Sequence, residues 1–172
     1  MNFSIAAIIS RLLAPRHELS CPWPVWRRLL RDLRERGRGV RESGAFLLGR
    51  ADKRGRRRIV DYVLYDDLDP HALDIGIVHL DGTHFGKLWD LCAQRDVMVV
   101  ADVHTHPGGS EQSQSDRAHP IIARAGHIAL IVPNLAEAPV DLTKVGIYRY
   151  GGGGRWQTIP ARQRRQFFSI GF

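Results

Sequence analysis

VMVVADVHTHPGGSEQSQSD, residues 97–116, is the stretch that decides the fold. Its first half is a run of β-branched and small apolar residues that turns polar near its end and stops at Pro107. That pattern reads as a buried strand over Val97 to Thr105, because proline cannot donate to a strand ladder. Side chains two apart on a strand point the same way, so His104 and His106 project from one face at the strand's end. Two imidazoles placed like this can share one metal ion. A Gly/Ser/Gln loop over 107–115 then leads into Ser113-x-x-Asp116. That spacing fits a helix start, with Ser113 as cap and Asp116 one turn in, and it returns a carboxylate toward the two histidines. Two His and one Asp make three protein ligands with a fourth position open to water, the arrangement of a catalytic rather than a structural zinc site.

Working outward, Thr83 can cap a helix running to Arg95, with Phe85, Leu88, Trp89 and Cys92 as its inner face. His127 to Val132 reads as another buried strand. Upstream, Val40 to Gly49 and Ile59 to Tyr65 read as strands joined across the charged turn Arg50 to Arg58, which makes a hairpin. Ile75 to Leu80 is a short apolar strand. Helical spacing marks Ile5, Ile8, Ile9 and Leu12, and again Trp26, Leu29, Leu30 and Leu33 within Pro24 to Arg36. Val145 to Tyr150 and Arg155 to Ile159 pair across Gly151 to Gly154. Phe167, Phe168, Ile170 and Phe172 pack back on the domain. The order predicts an α/β (mixed α+β) chain with one mixed sheet and helices on its faces. It divides into a basic N-terminal helical extension, residues 1–38, and a main domain, residues 39–172.

A bound zinc brings water to a pKa of about 7, and a carboxylate within reach can take its proton and pass it to a leaving amine. Glu42 is the candidate. The rest of its strand is nearly all apolar or glycine, so a charge there belongs at a rim or in a site. Glu42 with Leu47-Leu48-Gly49, then His104-Thr105-His106-Pro107, then Ser113-x-x-Asp116 resembles the JAMM motif of the catalytically competent MPN, or JAB-domain, zinc metalloproteases. Residues 40–150 carry the resemblance. It implies a single MPN/JAB domain with a mixed curved sheet flanked by helices. It implies one Zn2+ per chain held by His104, His106 and Asp116, Glu42 as general base and acid, and Ser113 as donor to the oxyanion. It also implies a substrate: the bond after the C-terminal glycine of a ubiquitin-like protein, in a conjugate or a precursor. Conjugation-pathway enzymes are the implied partners, with antiviral defence as an analogy from the family. The loop from Pro107 to Ser113 is one residue shorter than the family's usual spacing, so Ser115 competes with Ser113 as oxyanion donor, and Ser113 is preferred.

The 172 residues suit one domain with a real core. Charge is uneven. Residues 1–58 carry 15 basic and 5 acidic side chains, whereas residues 59–172 carry 10 basic and 13 acidic. Such arginine runs are most simply a solvated helix face and hairpin tip, and no nucleic-acid motif accompanies them. A basic nucleic-acid or partner-binding module is the alternative, as is a non-catalytic MPN scaffold, though a scaffold has no need of a full ligand set. Barrel-type metallohydrolases also carry His-x-His on a strand, but they need about 250 residues and several later ligands. Asp102 shares the histidines' face, either orienting one of them or serving as an ordinary polar residue. The other histidines, His127 among them, lack ligand spacing and read as surface or packing residues. Two distant cysteines exclude a disulfide framework and point to a reducing cytosol. No apolar run approaches the roughly 20 residues of a membrane span, and the N-terminal apolar patch lacks the charged start of a signal peptide.

Overall fold

The computed structural model describes residues 17–74, 76, 82–137 and 139–171. The helix expected over Ile5 to Leu12, the strand expected over Ile75 to Leu80 (Gly76 apart) and Phe172 lie outside the described residues. Eight strands run in chain order: β1 (Leu19–Pro22), β2 (Gly44–Ala51), β3 (Arg57–Leu64), β4 (Met98–Thr105), β5 (Ile128–Val132), β6 (Gly146–Gly152), β7 (Arg155–Thr158) and β8 (Phe168–Gly171). They form one sheet in the order β7-β6-β5-β4-β2-β3-β1-β8. β4 lies at its centre, antiparallel to β2 and parallel to β5. The sheet is therefore mixed, as expected. Register shifts at Leu47/Leu48 and Leu48/Gly49 mark bulges in β2, which bend the strand and increase local twist.

Both faces of β2, β4 and β5 are buried, which is why these strands read as continuous apolar runs rather than alternating ones. Helix α1 (Trp23–Gly37) covers one face. Its Trp26, Leu29 and Leu33 join Leu47, Val103, Leu130 and Phe168 in one core. Fully burying a leucine such as Leu29 or Leu33 contributes about 1.5–3 kcal/mol. The other face holds Phe46 and Leu48 against α2 (Tyr65–Leu68) and α3 (Phe85–Gln94), through Tyr65, Leu68, Leu88 and Cys92.

The polar side of α1 is not simply solvated. Arg28 pairs with Asp61 at 2.6 Å, and Arg36 pairs with Asp66 at 2.5 Å and Asp67 at 2.9 Å. The acids of the second part of the chain thus neutralise some of the first part's arginines.

Three local expectations are corrected. The β2 ladder begins at Gly44 rather than Val40, because the Val40 and Arg41 amides both donate to the Gly37 carbonyl and continue the turn that ends α1. Glu42 therefore precedes the strand instead of opening it. Thr83 does not cap α3. Residues Gly82–His84 form a 3-10 turn, and the helix starts at Phe85 without a side-chain cap. Trp89, expected on the inner face, is 49% exposed and stacks on Phe85 with ring centroids 5.8 Å apart. Only Leu88 and Cys92, one turn apart, are buried from this short helix.

Candidate metal centre

The site forms where β4 ends. His104 is the penultimate residue of that strand, in register with Gly44 on β2 and Ile131 on β5. His106 lies just beyond the strand. Its N–H donates to the Val132 carbonyl at 3.0 Å, and its carbonyl accepts from Leu135 N–H at 2.8 Å. Thr105, between the two, faces the other way and clamps Ser43. Thr105 N–H donates to the Ser43 carbonyl at 2.9 Å, Ser43 N–H donates to Thr105 Oγ1 at 3.0 Å, and Ser43 Oγ donates to the Leu33 carbonyl at 2.7 Å. Ser43 adjoins Glu42, so this clamp sets the carboxylate's place relative to the histidines.

Helix α4 (Gln114–Ala118) supplies the third side chain. Ser113 is its N-cap, with Ser113 N–H donating to Asp116 Oδ2 at 2.7 Å and Asp116 N–H donating to Ser113 Oγ at 3.1 Å. This reciprocal box satisfies two donors at the helix start and fixes the carboxylate's direction. The loop leading to it is held from below. Tyr148 Oη donates to the Ser110 carbonyl at 2.7 Å. A Cβ at Gly146 would collide with that same carbonyl oxygen. Gly146→Ala is therefore expected to lose about 1–3 kcal/mol from overpacking, read as a lower melting temperature. An unchanged melting temperature would show that the loop does not need this close approach.

The three donor groups converge. His104 Nε2 lies 3.0 Å from His106 Nε2 and 3.4 Å from Asp116 Oδ1, and His106 Nε2 lies 3.3 Å from Asp116 Oδ2. Ligands about 2.0–2.1 Å from a tetrahedral zinc lie about 3.3–3.4 Å from one another, so these residues fit the ion. They are the one cluster of three or more such side chains with metal-holding geometry among the described residues. Glu42 Oε1 stands farther out, 3.8 Å from His106 Nε2.

The charges reinforce the arrangement. Burial opposes ionisation of Asp116, but the two imidazoles beside it outweigh burial and hold its carboxyl well below the usual carboxylate range. Burial likewise opposes the charged form of His106, yet Asp116, Glu42 and the Glu111 backbone carbonyl raise its pKa.

The cluster opens into a cavity of about 610 Å³ whose walls include Glu42, Asp102, both Ser113 and Ser115, and the apolar Phe85, Ile121 and Trp156. Four of the five expected site residues, Glu42, His104, Ser113 and Asp116, line this cavity, and His106 adjoins it through Asp116. Other positions at the site carry no local signal in the sequence. Ser43, Tyr148 and Gly146 act through contacts distant in sequence. Asp102 binds neither histidine of the pair. It pairs instead with His127, whose Nε2 lies 2.5 Å from Asp102 Oδ1, and accepts from Tyr65 Oη at 3.3 Å. His127 is thus neither a surface residue nor simple packing.

Comparison with known proteins agrees with this architecture. The model of the family described as prokaryotic homologs of the JAB domain matches residues 22–143, which include Glu42, both histidines, Ser113 and Asp116. A probable metalloprotease, y4jG, from Sinorhizobium fredii is 32% identical over 77 residues, covering 45% of this chain and 48% of that protein. The chain thus spans about half the length of the curated relative it matches. The solution structure of protein DSY2949 from Desulfitobacterium hafniense superposes with a TM-score of 0.62 at 14% identity, covering 88% of this chain and 92% of that one, a likeness of fold alone. With the family model spanning most of the chain, the chain belongs to the prokaryotic homologs of the JAB domain.

Proposed function

We propose that this protein is a zinc-dependent metallopeptidase of the JAMM type that cleaves after the C-terminal glycine of a ubiquitin-like protein, from a conjugate or a precursor. The observation that carries the reading is the convergence of His104, His106 and Asp116 with Glu42 standing just outside them. The similarity to a probable metalloprotease supports it.

His104 Nε2, His106 Nε2 and Asp116 would hold the zinc, which supplies Lewis acidity toward a carbonyl and acidifies water. Glu42 takes the proton of the attacking water on its carboxylate and returns it to the departing amine. Its side chain is 15% exposed, so it reaches the cavity without being fully hydrated. Ser113 Oγ accepts the Asp116 N–H, which leaves its own proton free to donate to the carbonyl oxygen as that atom gains charge. Phe85, Ile121 and Trp156 wall the cavity and limit water around the scissile bond. The two buried free thiols, Cys21 and Cys92, suit a reducing compartment such as the cytosol. No helix among the described residues is long and apolar enough to cross a membrane.

The test is cleavage of a ubiquitin-like protein carrying a C-terminal extension. Release of a product ending at the glycine, stopped by a chelator and restored by zinc, is expected. Absence of cleavage across a panel of such proteins and their lysine conjugates would contradict the reading.

Two serines line the cavity, and their variants separate their roles. Ser113→Ala is expected to lower kcat by about 10²–10³-fold and to cost about 1 kcal/mol for the lost cap. Ser115→Ala should change the rate only a few-fold. The reverse ranking in steady-state kinetics would reassign the donor to Ser115.

A further inference from the structure

His104 Nδ1 is buried and meets no hydrogen-bond partner among the described residues. A metal-binding imidazole is ordinarily oriented by a hydrogen bond from its second nitrogen. Among the described residues no hydrogen bond to Nδ1 directs the His104 ring, so the groups packed beside it bear on its direction.

The neighbour that can supply it is Tyr65. Gly44 is in register with His104 on the adjoining strand, so their side-chain positions are side by side on one face. A Cβ at Gly44 would collide with Cε2 and Cδ2 of Tyr65. The tyrosine ring thus fills the place next to His104 that any larger residue at 44 would take. It is fully buried, and it packs edge-on against Phe46 with centroids 4.8 Å apart.

The ring is also pinned at its far end. Tyr65 Oη donates to Asp102 Oδ2 at 3.3 Å, and Asp102 Oδ1 is paired with His127 Nε2 at 2.5 Å. Asp102 is 4% exposed and His127 7% exposed. Three elements are tied in this way: α2 through Tyr65, β4 through Asp102, and the residue before β5 through His127. Burying a carboxylate and an imidazole together is costly unless both are paired, and nothing in the proposed chemistry uses them directly.

We propose that Tyr65 is the positioning residue for His104, and that Asp102 and His127 act with it as one unit that sets the affinity of the metal site. This rests on the metal-site reading above. It places determinants of metal affinity outside the ligand set, on a tyrosine and a histidine distant in sequence from the motif.

The experiment measures zinc affinity by competition with a chromogenic chelator, alongside the melting temperature of the zinc-stripped protein. The proteins compared are wild type, Tyr65→Phe, Asp102→Asn, their double variant, and His127→Leu beside His127→Gln. Tyr65→Phe and Asp102→Asn are each expected to weaken zinc binding by about 10–100-fold. The double variant should be little worse than the weaker single, as for residues that act together. His127→Gln, whose amide can still donate to Asp102, should bind zinc more tightly than His127→Leu. Wild-type affinity in Tyr65→Phe, which deletes one hydroxyl only, would overturn the proposal even if the stripped protein melted lower, because the residues would then be core packing alone. A wild-type protein that takes up no zinc would instead overturn the metal-site reading and this proposal with it.

Discussion

Glu42→Gln is expected to keep the fold and the zinc and to lose about 10²–10⁴-fold of its cleavage rate, the usual worth of a positioned general base. The substitution is close to isosteric, so the clamp of Ser43 by Thr105 that places residue 42 should persist. Glu42 Oε1 is 3.8 Å from His106 Nε2, beyond the 3.0–3.4 Å spacing within the ligand cluster, so the amide should not dislodge the ion. What the amide cannot do is accept a proton from water and return it to the amine. The check is kcat/KM on an extended ubiquitin-like precursor, with zinc content measured on the same preparation. Wild-type turnover by Glu42→Gln would remove Glu42 from the chemistry. Loss of zinc together with turnover would make it a ligand instead.

The second large effect is on stability. An ion that binds only the folded protein stabilises it by about 4 kcal/mol when its free concentration is a thousand times its dissociation constant. For a chain of this size that corresponds to a rise in melting temperature of about 8–16 °C. Wild type should show such a rise when zinc is returned after chelation. His104→Ala/His106→Ala should show none, because Asp116 alone cannot hold the ion. Its own fold should survive, since Asp116 remains tied to the Ser113 box that starts α4. An equal rise in both proteins would place the stabilising zinc elsewhere.

Much of this site was legible because its rules are local. Alternation along β4 puts Asp102 and His104 on one face, and the Ser113-x-x-Asp116 spacing is a capping box whatever surrounds it. Helix α1 is marked by a clear helical period, and the central strands by continuous apolar runs. The rest depends on contacts that no local pattern encodes. β1 and β8 are four residues each, and they pair in parallel although they come from opposite ends of the chain. Glycine at 44 and 146 signals close approach, but only the assembled sheet shows that Tyr65 and the Ser110 carbonyl are what approach. Trp89 sits at a helical position that periodicity assigns to the core, yet the short helix α3 buries only Leu88 and Cys92. Asp102 stands beside the histidines in the sequence, whereas its partners Tyr65 and His127 lie 37 and 25 residues away.

The central claim is that His104, His106 and Asp116 hold one zinc ion. Elemental analysis of purified wild type beside His104→Ala/His106→Ala tests it most directly. The account predicts about one zinc per wild-type chain, the stoichiometry of a single three-ligand site, and none in the variant. A wild-type chain that holds no zinc after zinc is supplied and the excess removed, or a variant that retains it, would contradict the account.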